Sequence, residues 1–291
     1  MKIFKFGGAS VKDAESIKNI TQILQYEGTE NTLVVISAMG KMTNAFEEAI
    51  DAYYNSSDQL AEKLSFIEDF HTSIMHDLFD KEDEIHNDIE ILLGELRWFL
   101  ERNTSKRYNY VYDQIICFGE LLSTKVVSAY LSKIGIQNNW FDVRNFIKTD
   151  SNYRDAKVDW ESTQEIISNT LDASKLNITQ GFIAANDTEN TTTLGREGSD
   201  YTAGIFAYCL NADSVTIWKD VPGVLNADPR VFVETTLLEH ISYEEAIEMA
   251  FYGASVIHPK TLQPLERKEI PLFVRSFVNR KQQGTRVSKG A

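Results

Sequence analysis

Four short stretches hold residues whose types and spacing suit the chemistry of anions. In KFGGAS (5–10), Lys5 precedes Gly7, Gly8 and Ser10. Glycines let a backbone take positive φ or approach another group closely, and amide N–H groups at a helix start can face a phosphate. A plain strand-to-helix turn would use the same glycines. TLGREGSD (193–200) sets Arg196, two glycines and Asp200 at the start of a predicted helix. There an arginine can grip a carboxylate bidentately while free N–H groups face an anion. WKDVPGVLNADPR (218–230) joins a strand end to a turn-rich loop with Lys219, Asp220, Asp228 and Arg230, and FGE (118–120) puts a lone Glu120 beside a glycine. Singly, each also has a structural reading: turn glycines, a surface arginine, a Pro222-Gly223 turn, an exposed helix-start acid.

Other chemistries find less support. The sequence has neither a GxxxxGK[ST] loop nor a GxGxxG motif. His71 and His76 lie five apart, off the i, i+4 face of a zinc pair, and are expected on a solvated helix face. DKEDE (80–84) lacks the glycine and spacing of a calcium loop and reads as a solvated helix end. Cys117 and Cys209 each sit in an apolar run, which predicts two buried thiols in a reducing compartment. The net charge of −14 argues against a nucleic-acid surface, so an anionic substrate would need a local island of cations. No signal-peptide pattern opens the chain, and no stretch reads as a membrane span of roughly 20 apolar residues. A cytoplasmic protein is expected, with no nucleic-acid or membrane partner.

Around the four stretches, β-branched runs alternate with segments of helical period. IFKF (3–6) predicts a strand leading to a helix from near Ser10, with Ser10 and Asp13 resembling a capping box. TLVVIS (32–37) reads as an apolar strand, about 44–102 as an acidic helical stretch, and 120–135 as a helix stopped at Gly135. NITQGFIAA (177–185) reads as one strand, and 199–212 as a helix capped by Ser199 or a neighbour. SVTIW (214–218) is a strand, 242–253 a helix with a Ser242/Glu245 capping box, and IPLFVRSF (270–277) a closing strand. Apolar strands alternating with helices imply a mostly parallel sheet covered on both faces, with ligands beyond the strands' carboxyl ends. GGAS, SAMGKMTN and WKDVPGV fall there. The polar run NDTENTTT predicts a lobe boundary near 186–194.

In this order and spacing, KFGGAS, FGE, GREGSD, KDVPGVLNADPR and FYGASVIHPKTLQPL resemble the catalytic domain of aspartokinases, in the amino-acid kinase family, from Lys2 to about Arg286. The resemblance implies a three-layer αβα sandwich around a mostly parallel sheet, with an aspartate-binding lobe (about 1–188) and an ATP-binding lobe (about 189–291). It implies transfer of the γ-phosphoryl of Mg-ATP to the side-chain carboxylate of L-aspartate, the first step towards lysine, threonine, methionine and isoleucine. Lys5, Gly7, Gly8 and Ser10 would contact the phosphates, Lys5 neutralising the group in flight. Ser37 would lie near the reacting groups. Thr43 and Glu120 match aspartate-binding positions, Glu120 pairing with the substrate ammonium. Arg196 would grip a substrate carboxylate, with Ser199 beside it. Asp200 would orient Lys5 and help place Mg²⁺, otherwise held through ATP. Lys219, Asp220, Leu225 and Arg230 fall on the nucleotide loop. A homodimer is expected.

The sequence departs from the family pattern in places. Ala9 replaces a threonine, Glu197 stands where glycine or asparagine is common, and Lys219 replaces a threonine. Ser255 occupies the place of a nucleotide-binding lysine, a charge that Lys219 or Lys260 could supply. The chain stops before any ACT regulatory domain, so no amino-acid feedback is expected from it alone. The alternatives are another kinase of the family, for glutamate, acetylglutamate or uridylate, and a catalytically silent ligand-binding subunit.

Overall fold

The computed structural model describes residues 1–172, 174–228, 231–253 and 257–290; Arg230 and Ser255 lie outside them. The chain opens with β1 (Lys2–Phe6), a 3₁₀ turn (Gly8–Val11), α1 (Ala14–Glu27) and β2 (Thr32–Ile36). The acidic stretch folds as α2 (Met42–Tyr54), α3 (Leu60–Leu78) and α4 (Ile85–Arg102), followed by α5 (Tyr108–Ile116) and α6 (Phe118–Lys133). Next come β3 (Asn139–Trp140), β4 (Lys148–Thr149), α7 (Trp160–Thr170), β5 (Asn177–Gln180), β6 (Ile183–Asn186) and β7 (Thr191–Thr193). The chain then adds α8 (Gly198–Leu210), β8 (Ser214–Lys219), β9 (His240–Ser242), α9 (Tyr243–Phe251), α10 (Pro259–Arg267), β10 (Leu272–Ser276) and β11 (Thr285–Ser288).

Among the described residues, eight strands form the main sheet in the order β3-β5-β2-β1-β8-β10-β11-β9, parallel except between β10 and β11. β1 sits between β2 and β8, with Phe6 opposite Ile36 on one side and Trp218 on the other. Both neighbours are covered, so β2 (TLVVI) is buried at every residue, as the uninterrupted apolar run predicts. Alternation along β1 gives the two faces. Phe4 and Phe6 pack on Trp218, over which the Arg275 guanidinium lies 4.6 Å from the ring centroid. Arg275 also bonds Glu27 at the end of α1, so α1 covers this face. Gln180, in register with Ile36, bonds Thr124 of α6 on the same side. Lys5 points the other way, to Asp200 of α8, and α7 and α10 pack outside α8. The result is the expected three-layer αβα sandwich, and fully burying each large apolar side chain in it is worth about 1.5–3 kcal/mol.

The structure corrects several local readings. The residue that caps α1 is Asp13, whose carboxylate accepts the Ser16 amide at 2.7 Å; Ser10 belongs to the 3₁₀ turn and its hydroxyl is buried. NITQGFIAA is not one strand. It breaks at Gly181 and at Phe182 (φ 71°), and β6 joins β4 and β7 in a separate three-stranded sheet. The break exists because α8 crosses there: a Cβ on Gly181 would lie 2.5 Å from the Ser199 Cβ. The α8 cap is Glu197, in the left-handed region (φ 51°), not Ser199. The polar run near 186–194 turns between β6 and β7. Asp113 of α5 accepts the Thr193 amide and hydroxyl and the Arg154 amide, and burial pushes its carboxyl up to about 6. The Ser242/Glu245 capping box is present as read. One run, Tyr108–Lys133, is long and apolar enough to cross a membrane by length and composition, but 72% of its most apolar window is buried, as befits a core helix.

His71 is the clearest correction. It is fully buried in α3 rather than solvated, its Nδ1–H donating to the Ile67 carbonyl at 2.7 Å while Nε2 has no partner. Burial lowers its pKa to about 4. The unfolded chain, with an ordinary histidine near 6.5, therefore binds more protons between pH 6.5 and 4, and the stability of the neutral ring is lost as pH falls through that window. The expected size is up to about 3 kcal/mol. Urea unfolding of wild type and His71→Leu from pH 7 to 4 should show the difference between them shifting against wild type by that order. A pH-independent difference would contradict it.

Candidate active site

The candidate site lies where the parallel strands end. Beyond β1, the chain turns at Gly7 and Gly8 against the loop after β2. The Gly40 amide donates to the Gly8 carbonyl at 3.0 Å, and a Cβ on Gly8 would sit 2.6 Å from the Gly40 oxygen. No larger residue fits without backbone movement. The two loops thus approach each other as a backbone-lined cradle. Gly7 flanks the Lys5 ammonium: a Cβ there would lie 3.2 Å from Nζ.

Lys5 Nζ meets Asp200 Oδ1 at 2.6 Å, and both side chains are buried (residues 9% and 2% exposed). Lys219, at the end of the adjacent β8, brings a second ammonium to 3.9 Å from Asp200 Oδ2. Asp200 stands in the first turn of α8, where the helix dipole favours an anion. One carboxylate therefore aligns two cations at the carboxyl ends of neighbouring strands, an arrangement suited to a polyanion.

Glu120 faces the same cleft from the first turn of α6 and is 2% exposed. Its Oε1 accepts the Ala38 amide at 3.3 Å, and Oε2 is buried without a partner. Burial pushes its carboxyl up to about 8, against the smaller opposing effect of the Ala38 hydrogen bond. The helix that carries it is fixed to the sheet: Ser123 donates to the Ser37 carbonyl, and the Thr124 hydroxyl accepts from Gln180 and Trp140 while donating to the Glu120 carbonyl. A rigid, buried acid with one unused oxygen is prepared for a cationic ligand.

The cleft has a volume of about 370 Å³ and brings together Lys5, Glu120, Asp200 and Lys219 with Ser37, Thr43 and Ser199. Other candidates stand apart from this lining. Arg196 is exposed, its side chain outside the cleft wall. Lys260 is held by the Asp155 carboxylate (3.0 Å) and the Leu194 carbonyl (2.9 Å), over the Tyr201 ring. Asp220 is exposed, and Leu225 forms a bridge with Leu237 in the loop after β8. Ser10 is buried below the glycine turn. Of the lining residues, Phe182, Gly195, Glu197 and Gly198 were not named as site residues from sequence. Phe182 and Glu197 have positive φ, for which no neighbouring residue type gives a signal.

A family model described as the amino acid kinase family matches residues 1–276. The chain is 36% identical over 292 residues to lysine-sensitive aspartokinase 3 of Escherichia coli (strain K12), covering 98% of this chain and 63% of that protein. It is 34% identical over 295 residues to the chloroplastic bifunctional aspartokinase/homoserine dehydrogenase 2 of Arabidopsis thaliana, covering 97% of this chain and 32% of that protein. The crystal structure of E. coli aspartokinase III in complex with aspartate and ADP matches with a TM-score of 0.91 at 34% identity, over all of this chain and 65% of that one. The chain thus spans from about a third to under two thirds of the length of these relatives. The resemblance to aspartokinases read from the motifs is borne out, and this chain belongs to the amino acid kinase family.

Proposed function

We propose that this chain is an aspartate kinase unit, transferring the γ-phosphoryl group of ATP to the side-chain carboxylate of L-aspartate. The observation that carries the reading is one cleft containing both the Lys5–Asp200–Lys219 array and the buried, half-unpartnered Glu120. The first suits phosphates, the second an ammonium. The relatives' names, and the aspartate and ADP of the E. coli complex, support the same substrates.

In this reading a carboxylate oxygen of aspartate attacks the γ-phosphorus, the bond to the ADP oxygen breaks, and 4-phospho-L-aspartate forms. A carboxylate of pKa about 4 is already ionised at neutral pH, so no general base is needed. Catalysis reduces to bringing two anions together and neutralising charge. Lys5 and Lys219 supply that charge, and the Gly7-Gly8 turn offers close backbone approach. Mg²⁺, when bound with ATP, neutralises the phosphate oxygens and fixes their geometry. Asp200, between the two lysines, is the acid that fits it, with the nucleotide supplying most of the ligands.

The lobe division follows the same proposal. Ser37, Thr43 and Glu120 come from about 1–188, Ser199, Asp200 and Lys219 from about 189–291, and Lys5 serves both substrates. A cytoplasmic homodimer acting at the first step towards lysine, threonine, methionine and isoleucine completes the reading. The two buried free thiols fit a reducing compartment.

Trapping the acyl phosphate with hydroxylamine tests the reaction. Incubation with Mg-ATP should give hydroxamate with L-aspartate and none with L-glutamate or N-acetylglutamate; no product with aspartate would overturn the assignment. Lys5→Ala should lower kcat on the order of 10²–10³-fold, because its charge acts mainly in the transition state, with aspartate KM changed only a few-fold. Near-normal turnover would remove Lys5 from the mechanism. Glu120 must be ionised to hold an ammonium, so aspartate affinity should rise about tenfold per pH unit up to about 8 and then level off. Calorimetric titrations from pH 6 to 9 should show this slope in wild type and lose it in Glu120→Gln; a flat wild-type profile would contradict the pairing.

A further inference from the structure

The cleft contains a carboxylate that the mechanism above does not use. Glu197 occupies the N-cap position of α8, yet its side chain makes no capping hydrogen bond. Its Oε2 is buried and without a partner, and the residue lines the cleft. An acid at a helix start that neither caps the helix nor pairs with a cation is not explained by the fold.

The other acids of the cleft narrow its task. Asp200 has one oxygen on Lys5 and the other near Lys219. Glu120, 98% buried by its 2% exposure, leaves Oε2 unpartnered in the same cleft. Glu120 and Glu197 therefore line one cleft, and each has a buried Oε2 without a hydrogen-bond partner. A primary ammonium fits two such acceptors, since it presents three N–H donors and can serve both at once. Phosphate oxygens would be repelled from the same spot.

We propose that Glu197 is a second specificity-determining carboxylate, accepting a hydrogen bond from the substrate ammonium alongside Glu120. The proposal rests on the aspartate-kinase reading and adds to it the selection of amino acids over their deaminated analogues. Such selection is strong when losing the ligand's N–H donors leaves buried acceptors unpaired.

The test compares L-aspartate as substrate with succinate, which lacks the ammonium, as a competitive inhibitor. Glu197→Gln should raise aspartate KM about tenfold, with kcat and ATP KM unchanged and succinate Ki unchanged or lower. Glu197→Asn should do the same while matching or exceeding wild type in unfolding midpoint, because asparagine accepts positive φ more readily than glutamate. Equal weakening of aspartate and succinate, an effect on ATP KM alone, or no effect would each overturn the proposal. Wild-type protein that forms no aspartyl hydroxamate would instead overturn the reading beneath it, so the two failures are distinguishable.

Discussion

The buried ion pair between Lys5 and Asp200 is the constraint around which the molecule is arranged. It joins the central strand of the sheet to the first turn of α8 across 195 residues of sequence, as the difference between positions 200 and 5. A buried pair of charges is poor value for stability, since desolvation offsets most of the Coulomb attraction. Keeping one here makes sense as organisation: Asp200 aligns two lysines beside the Gly7-Gly8 turn, and the helix that bears it must come close to the sheet. That approach is why β5 ends at Gln180, just before Gly181, where a side chain would collide with Ser199. It is also why the second sheet branches off at that point.

The cleft separates its charges in the face of a strongly acidic protein. With a net charge of −14, the molecule repels polyanions at long range. Close range is different, because Lys5 and Lys219 stand at adjacent strand ends with their counter-ion shared. On the α6 side, Glu120 is desolvated enough to hold its proton to about pH 8 in the free protein. A neighbouring cation would favour its ionised form.

Much of this was legible in the sequence, for physical reasons. Lys5, Asp200 and Lys219 stand at strand ends and a helix start on the sheet's carboxyl edge, and Glu120 reaches the same cleft from the start of α6, so the four line one cleft. What stayed hidden depends on tertiary contacts. His71 sits in an acidic helix, yet packing hides it completely, which periodicity alone does not reveal. NITQGFIAA reads as a strand with one interior glycine, and only the contact that Gly181 makes with Ser199 tells that it must split there. Arg196 and Glu197 are neighbours in a motif that suits anion binding. The left-handed turn at Glu197 presents Glu197 to the cleft while Arg196 is left exposed, the reverse of what residue chemistry suggests.

The central position of β1 also bears on how the chain is made. The partner of β1 on one side, β2, lies within the first 36 residues, but its other edge waits for β8, which ends at Lys219. During synthesis at about 5–20 residues per second, that interval leaves an apolar strand edge open for on the order of ten seconds or more. The middle of the sheet is thus closed late, and the Lys5–Asp200–Lys219 array with it. A nascent chain of this topology is a natural client for factors that shield unpaired strands until the second half emerges.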